Sequence, residues 1–314
     1  MKNDETKKTF IRGENRLREV WKSTAVIGAV VFVCTIIGFL GGAGSVYIFG
    51  LPLFGICVAI IFLIQWLSFI PAYLFRTERF FDLIGGVTYI TLAIFVILVR
   101  DTTTDVGYMI GFLVSVWAFR LSFFLFSRIL TSGSDRRFND IKSSFGRFLM
   151  TWTLQGGWIF MTFAAGLAAM SSNDHAEIGF LTILGLSIWV VGFFVEVVAD
   201  AQKKRFRSFP ENSDNFITNG LWGYSRHPNY LGEIVLWLGI AIIAIPLLSG
   251  WQFLTLLSPV FVWFLLTRIS GLPMLEAYAD EKWGDNSEYA NYKRNTPVLF
   301  PSIRIVGRRI RRDN

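Results

Sequence analysis

The sequence is poor in charged residues and in the side chains that build disulfide and metal sites. Only 17% of its 314 residues are Asp, Glu, Lys or Arg, whereas soluble domains average about 25%. Cys34 and Cys57 lie in apolar segments and form neither a disulfide framework nor a Cys-x-x-Cys motif. With His175 and His227 as the only histidines, a multi-histidine metal centre is excluded. We therefore predict no metal site, no ordinary soluble domain and no disordered chain.

The motifs that bind phosphates or perform hydrolysis in soluble enzymes are also missing. The sequence contains no Gly-x-Gly-x-x-Gly after a strand, no P-loop, no His-Glu-x-x-His and no Gly-x-Ser-x-Gly. The glycine-rich stretch at 41–44 ends an apolar run, where helix packing or a turn explains it better than a phosphate cradle. Any dinucleotide site in this chain is therefore not of the Rossmann type.

Apolar and aromatic side chains are abundant and occur in long runs. Hydrophobic residues make up 53% of the chain, including 11 Trp and 31 Phe. A helix needs about 20 mostly apolar residues to cross a bilayer, and it satisfies its own backbone hydrogen bonds there. We predict an all-α, polytopic integral membrane protein with about eight transmembrane helices, near residues 23–43, 51–75, 81–99, 106–126, 148–170, 178–198, 231–249 and 251–269.

The positions of the basic residues predict the orientation of these helices. If the N-terminus is cytoplasmic, 29 of the 30 Lys and Arg residues fall inside or at the inner ends of spans, and only Arg100 falls outside. The net charge of +7 then marks topology and contact with lipid headgroups, and we expect no nucleic-acid partner. Both termini are predicted to be cytoplasmic, in the cell inner membrane if the protein is bacterial.

The same pattern divides the chain into three parts. Residues 1–22 are predicted to be a basic cytoplasmic N-terminal segment, residues 23–301 a single membrane domain, and residues 302–314 a basic tail. The inner segments at 127–147 and 199–230 are longer and more polar than the outer loops. A transporter would hold polar groups near the bilayer midplane. Polar groups gathered at one face instead favour an enzyme that takes a soluble cofactor and a lipidic small-molecule substrate.

The densest polar motif runs from residue 219 to residue 233, into the seventh predicted span. Pro228 can open a helix at its first turn, which places Asn229 and Glu233 on one face with Tyr230 beside them. Gly232 allows close approach of another backbone or a flat ligand. An acid inside the apolar zone is expensive and is usually functional. The alternative is a helix start with an interfacial aromatic belt and a structural acid.

The sixth span carries two acids at its inner end. Trp189, Phe193, Glu196 and Asp200 share one helical face, and Lys203 follows in a basic run. The acids could bind a ribose and the basic residues its phosphates, or the segment could be a snorkelling interface with acid–base pairs.

A single arginine lies inside the fourth span. Arg120 is one to two turns from the inner end, where a guanidinium is costly and needs a partner. Glu196, Glu233 or a cofactor phosphate could serve.

Several of these stretches together resemble one known family. The string at 220–233, Gly-Leu-Trp-Gly-Tyr-Ser-Arg-His-Pro-Asn-Tyr-Leu-Gly-Glu, resembles the signature of the DUF1295 membrane proteins. These group with the C-terminal domain of the steroid 5-alpha-reductases and, more distantly, with isoprenylcysteine carboxyl and phospholipid methyltransferases. Trp117–Leu121 with Arg128 and Asp135–Arg136, Glu196–Lys203, and the tail from Ser270 match the same family. The resemblance covers about residues 80–301.

The resemblance implies a membrane fold with a cofactor pocket at the cytoplasmic face. In the steroid reductases the cofactor is NADPH, and hydride goes to the C=C bond of an enone. Motif by motif, the residues implied to bind the cofactor are Arg120, Arg128, Asp135, Arg136, Glu196, Asp200, Lys203, Tyr224, Arg226, His227, Asn229, Tyr230, Glu233 and Tyr292.

Two enzyme classes remain open from the sequence, beside a third class, a non-enzymatic membrane protein that keeps the fold as a lipid-binding or cofactor-binding scaffold. NADPH carries about four negative charges and suits the basic residues at the motif positions. Together with the resemblance, this charge implies an NADPH-dependent reductase of a lipidic or steroid-like C=C substrate, with Tyr89 and Asp82 of the third span as candidate proton donors. The triplet Arg226-His227-Pro228, absent from the vertebrate steroid reductases, is shared with the methyltransferases. The alternative is therefore an S-adenosylmethionine-dependent lipid or prenylcysteine-type methyltransferase.

Overall fold

The computed structural model describes residues 2–100 and 103–301. Side chains are described from residue 17 onwards, apart from those of Ser132 and Arg136. The predicted basic tail at 302–314 lies outside the described residues. The α-helices of the described part are α1 (Lys2–Gly41), α2 (Leu53–Leu74), α3 (Phe81–Val99), α4 (Asp105–Ser132), α5 (Phe145–Ser171), α6 (Phe180–Arg207), α7 (Pro228–Ala244), α8 (Ser258–Phe264), α9 (Leu272–Trp283) and α10 (Ser287–Asn295).

The remaining regular structure consists of short turns and one small hairpin. Strands β1 (Tyr47–Ile48) and β2 (Leu51–Pro52) pair antiparallel in the turn between α1 and α2. The hairpin turn places Phe49 at φ 52° and Gly50 at φ 78°. Turns of 3₁₀ helix occur at Gly42–Gly44, Arg136–Phe138, Pro210–Asn212, Gly220–Gly223, Ile245–Leu247 and Gly250–Leu257, and a π-helical turn at Leu265–Ile269.

The described residues contain eight helices long and apolar enough to cross a membrane, which confirms the predicted all-α membrane class. The ends differ from the prediction. The fourth helix runs to Ser132 and the sixth to Arg207, so both continue beyond their apolar runs. Basic residues in the last turn of α6 complement the helix dipole, which helps the helix to persist outside the apolar segment. The eighth predicted span combines a 3₁₀ turn, α8 and the π-helical turn before α9.

The chain forms two compact units. The first comprises Met1–Ile178 and Ala244–Leu256. Helix α5 of this unit packs against α1, α2, α3 and α4. Of the residues in the most apolar 18-residue stretch of α5, 83% are buried. Small residues make this packing possible, since a Cβ at Gly157 would lie 2.7 Å from Val30 Cγ1. The most buried helix of this unit is therefore also rich in Gly and Ala.

The second unit comprises Gly179–Ile243 and Leu257–Asn314, of which residues up to 301 are described. Glycines let the backbones of α6 and α7 approach closely. A Cβ at Gly192 would lie 2.5 Å from Leu236 N, and one at Gly232 would lie 2.6 Å from Glu196 N. The close partner of Gly232 is thus the backbone of α6. Pro228 is the first residue of α7, as the sequence predicts.

Candidate cofactor site

The polar end of the second unit contains an open pocket with aromatic walls. It holds about 670 Å³ of empty space including its open mouth. Its walls come from the end of α6, the Gly220–Gly223 turn, the residues just before α7, and the helices α9 and α10. We call it the aromatic pocket; its lining residues are Lys203, Phe206, Arg207, Asn215, Phe216, Ile217, Trp222, Arg226, His227, Leu275, Glu276, Tyr278, Ala279, Trp283, Tyr289 and Tyr292.

Trp222 anchors the wall between α6 and the tail. Its indole N–H donates to Ala199 O at 3.0 Å, and its own carbonyl accepts from the Tyr292 hydroxyl at 2.7 Å. The Lys203 ammonium lies 4.5 Å from the centre of the Trp222 ring, within cation–π range. The preceding turn needs glycine, because Gly220 has φ 58°. The wall is therefore fixed by contacts across 70 residues of sequence.

A three-residue charge cluster closes one side of the aromatic pocket. Glu276 on α9 accepts from Arg226 Nη1 at 2.6 Å and from His227 Nε2 at 2.7 Å. Arg226 and His227 are fixed by the backbone as well, since Arg226 N donates to Pro297 O at 2.9 Å. His227 N donates to Ser225 Oγ at 3.2 Å. The acid thus bridges both side chains of the Arg-His-Pro triplet.

Two buried polar atoms of this cluster have no partner within the described protein: Arg226 Nε and His227 Nδ1. Burial lowers the pKa of His227 below its usual 6.5, although the hydrogen bond to Glu276 opposes this shift. The neutral ring donates from Nε2 to the carboxylate, so Nδ1 is left as an acceptor. The cluster therefore presents one donor and one acceptor, a combination that suits hydroxyl groups of a ribose.

The predicted acids of α6 and α7 lie where these two helices meet. Asn229 Nδ2 donates to Asp200 Oδ1 at 3.2 Å. Glu196 and Glu233 are 2% and 7% exposed. The residues that line the aromatic pocket do not include Glu196, Glu233, Tyr224 or Tyr230. Tyr230 stacks on His227, which does line the pocket. Of the predicted cofactor residues, the pocket wall contains Lys203, Arg226, His227 and Tyr292.

The other predicted cofactor residues belong to the first unit. Arg120 lies over the Phe124 ring, 5.5 Å from its centre. Arg128 is exposed. Asp135 accepts from Arg137 Nε at 2.9 Å. Burial raises the pKa of this carboxyl group, but the hydrogen bonds from Arg137 and the charges of Arg137 and Arg128 together lower it below its usual value. The side chain of Arg136 lies outside the described residues.

The two candidate proton donors share a cavity in the first unit. Asp82 and Tyr89 are two turns apart on α3, and both face a space bounded by α3, α4 and α5. The Tyr89 hydroxyl is hydrogen-bonded to Thr162 Oγ1. Because the Thr162 hydroxyl donates to Trp158 O at 2.9 Å, Tyr89 is the donor in this pair. Tyr89 can therefore protonate a ligand only when this bond opens.

Sequence reasoning missed several residues of the aromatic pocket. The sequence motifs do not single out Glu276 or Arg207. The aromatic walls formed by Phe206, Phe216 and Trp283 were not predicted. One signal in the sequence could have indicated this wall. The polar segments outside the spans are rich in aromatic residues, and a membrane span does not require aromatic residues there.

Comparison with known proteins gives one family match and two distant relatives. The family model "Protein of unknown function (DUF1295)" matches residues 68–296. The rat 3-oxo-5-alpha-steroid 4-dehydrogenase 1 is 27% identical over 124 residues, 40% of this chain and 42% of the relative. The Probable O-methyltransferase ustE of Ustilaginoidea virens is 25% identical over 155 residues, 48% of this chain and 52% of the relative. The chain thus spans about half the length of these relatives. No solved structure matches it.

Proposed function

The chain belongs to the DUF1295 family, and we propose that it is a membrane-embedded, NADPH-dependent reductase of a lipidic or steroid-like C=C bond. Its similarity to a steroid dehydrogenase supports the class of reaction. The observation that carries the proposal is the aromatic pocket, which combines Lys203, Arg207 and Arg226 with flat ring surfaces. Phosphates favour cations and a nucleobase favours ring surfaces.

The residues of the pocket fit the parts of a dinucleotide. Lys203 and Arg207 lie one turn apart on α6 and would bind phosphate oxygens. Arg226 Nε would donate to a ribose oxygen and His227 Nδ1 would accept from a ribose hydroxyl, because each needs such a partner when buried. Glu276 would hold both side chains in this geometry. Asp200 and Asn229 would support the same region from α6 and α7.

NADPH, when bound, would supply a hydride to one carbon of the substrate double bond. The second carbon, or the oxygen conjugated with it, must then receive a proton. Asp82 and Tyr89 stay the candidate donors named from the sequence; both face a cavity of the first unit. The reduced product would thus contain one hydrogen from the cofactor and one from the protein.

Cofactor titration tests this proposal through Lys203. Replacing Lys203 by Gln should weaken NADPH binding about tenfold or more, because a charge-assisted contact is worth about 1.5–3 kcal/mol. Lys204→Gln is the matched control, because Lys204 is exposed and does not line the pocket. Affinities are measured by thermal shift in mild detergent. Equal affinities of the two variants for NADPH would contradict the assignment.

A methyltransferase that uses S-adenosylmethionine is the second candidate. One observation favours it: Glu276 already neutralises Arg226, which leaves less positive charge for phosphates. The similarity to an O-methyltransferase favours it as well. Stabilisation by S-adenosylmethionine and not by NADPH, in the same titration, would establish this alternative. Identification of a nucleotide that co-purifies with the protein provides an independent test.

A further inference from the structure

The cavity between α3, α4 and α5 contains polar groups that the proposed reaction does not use. It holds about 320 Å³ of empty space including its mouth. Its walls are mainly apolar, with Trp117, Ala118, Leu121 and Leu125 on α4. Gln155 and Trp158 of α5 also line it. These two residues are three positions apart and lie on one helical face.

The amide orientation of Gln155 is fixed by the backbone of α3. Gln155 is 5% exposed, and its Nε2 donates to Phe81 O at 3.0 Å. The reverse orientation would place two acceptor oxygens against each other. Gly85 leaves room for this amide, since a Cβ there would lie 2.8 Å from Gln155 Nε2. Gln155 Oε1 is therefore directed elsewhere, and it is a buried acceptor with no partner in the described protein.

Trp158 supplies the complementary group. Its ring meets Tyr89 edge to face at 6.2 Å, which fixes the side chain against α3. Its indole N–H is buried and has no acceptor in the described protein. Gln155 and Trp158 line the same cavity, and an unpaired buried acceptor or donor on either side chain is unfavourable. A single group that both donates and accepts would satisfy them together.

We propose that this cavity binds the hydroxyl group of a lipid or another amphiphile. The hydroxyl would donate to Gln155 Oε1 and accept from Trp158 Nε1, while the apolar wall of α4 contacts the attached hydrocarbon. An ether or a ketone would satisfy only Trp158, because neither has a proton to donate. A carboxylate would bring its lone pairs against Gln155 Oε1. The hydroxyl would occupy the cavity that the candidate donors Asp82 and Tyr89 also face. Because its binding requires no cofactor, this proposal can be tested apart from the reductase activity.

Competition photolabelling tests the proposal in the purified full chain. The probe is hexadecanol with a diazirine near its hydroxyl end, in lauryldimethylamine oxide, a detergent without hydroxyl groups. Labelled peptides should come from α3, α4 or α5. Unlabelled 1-hexadecanol should compete about tenfold or more better than its methyl ether, because the ether leaves Gln155 Oε1 unpaired. Equal competition by the two would overturn the proposal. So would no labelling of these helices, as expected if water alone fills the cavity.

Two tryptophan variants locate the site. Trp158→Phe removes the N–H and keeps an aromatic ring, and it should weaken competition by hexadecanol about fivefold or more. Trp152→Phe is the matched control. Trp152 is on the same helix with an unpartnered buried N–H, but it does not line the cavity. Equal effects of both variants would refute the assignment. If Trp158→Phe does not fold, Gln155→Met replaces it and should narrow the difference between alcohol and ether.

Discussion

Replacing Glu276 by Gln should destabilise the second unit strongly. Its carboxylate accepts from Arg226 at 2.6 Å and from His227 at 2.7 Å, and Lys293 Nζ lies 3.8 Å away. The side chains of Arg226 and His227 are only 10% and 8% exposed. Glutamine has the same shape but no charge. Its NH₂ group would oppose one of the two donors that the carboxylate now accepts from.

The expected magnitude follows from these contacts. Hydrogen bonds to charged groups are worth about 1.5–3 kcal/mol each, and breaking a buried ion pair costs about 3–5 kcal/mol. Glu276 is itself 21% exposed, and glutamine keeps one acceptor, so the lower end applies. We expect a loss of about 2–3 kcal/mol. At about 2–4 °C per kcal/mol, Tm should fall by about 4–12 °C.

Thermal unfolding in mild detergent measures this loss, and α9 offers a matched control. Asp280 lies one turn after Glu276 and pairs with Lys293 at 2.5 Å, but its side chain is 48% exposed. Exposed pairs contribute about 1 kcal/mol or less, so Asp280→Asn should lower Tm by about 4 °C at most. If both variants lower Tm equally, the bridge between Arg226 and His227 is not a stabilising element and the reasoning fails.

Three further predictions concern stability and topology. Burial holds the pKa of His227 below 6.5, so below that pH the unfolded chain binds more protons than the folded protein does. Stability, measured as Tm against pH, should therefore fall as the pH is lowered. The fall should be smaller in the His227→Gln variant. Gly192→Ala should cost about 1–3 kcal/mol in thermal unfolding through overpacking, whereas Gly28→Ala, with nothing within 4 Å, should be neutral or stabilising. Cysteines at His175 and Ser213 should react with an impermeant maleimide from opposite faces, since the two natural cysteines are buried; labelling from one face would refute the predicted orientation.

The spans could be predicted because the signal for a transmembrane helix is local. About 20 consecutive apolar residues suffice, whatever the rest of the chain does. The helix ends could not be placed in this way. The sequence predicts a loop from 199, whereas α6 runs to Arg207, because a helix can continue into water with its polar residues solvated. This extension places Lys203 and Arg207 on a helix that lines the aromatic pocket.

The site could be predicted only in part because its pairings are distant in sequence. The charges favour Arg226 as a phosphate ligand, but the structure pairs it with Glu276, 50 residues later. A charge pattern shows which groups need a partner. Only the fold decides whether that partner is a ligand or another side chain.

The neutral amides within the spans show a further limit of sequence reasoning. An unpaired charge in a bilayer is so costly that Arg120 and Glu233 attract attention at once. A neutral amide costs less free energy to place in a bilayer than a charge does, and in the sequence it only lowers the local mean hydropathy. The helix that contains Gln155 has a mean hydropathy of 1.2 over its most apolar 18 residues, the lowest of the eight spans. It is nevertheless the most buried span, because 83% of those residues are buried inside the protein. Its polar side chains therefore face protein rather than lipid, and each needs a partner there. In a helix of this kind, a low hydropathy indicates where unpaired polar groups, and hence ligand contacts, should be sought.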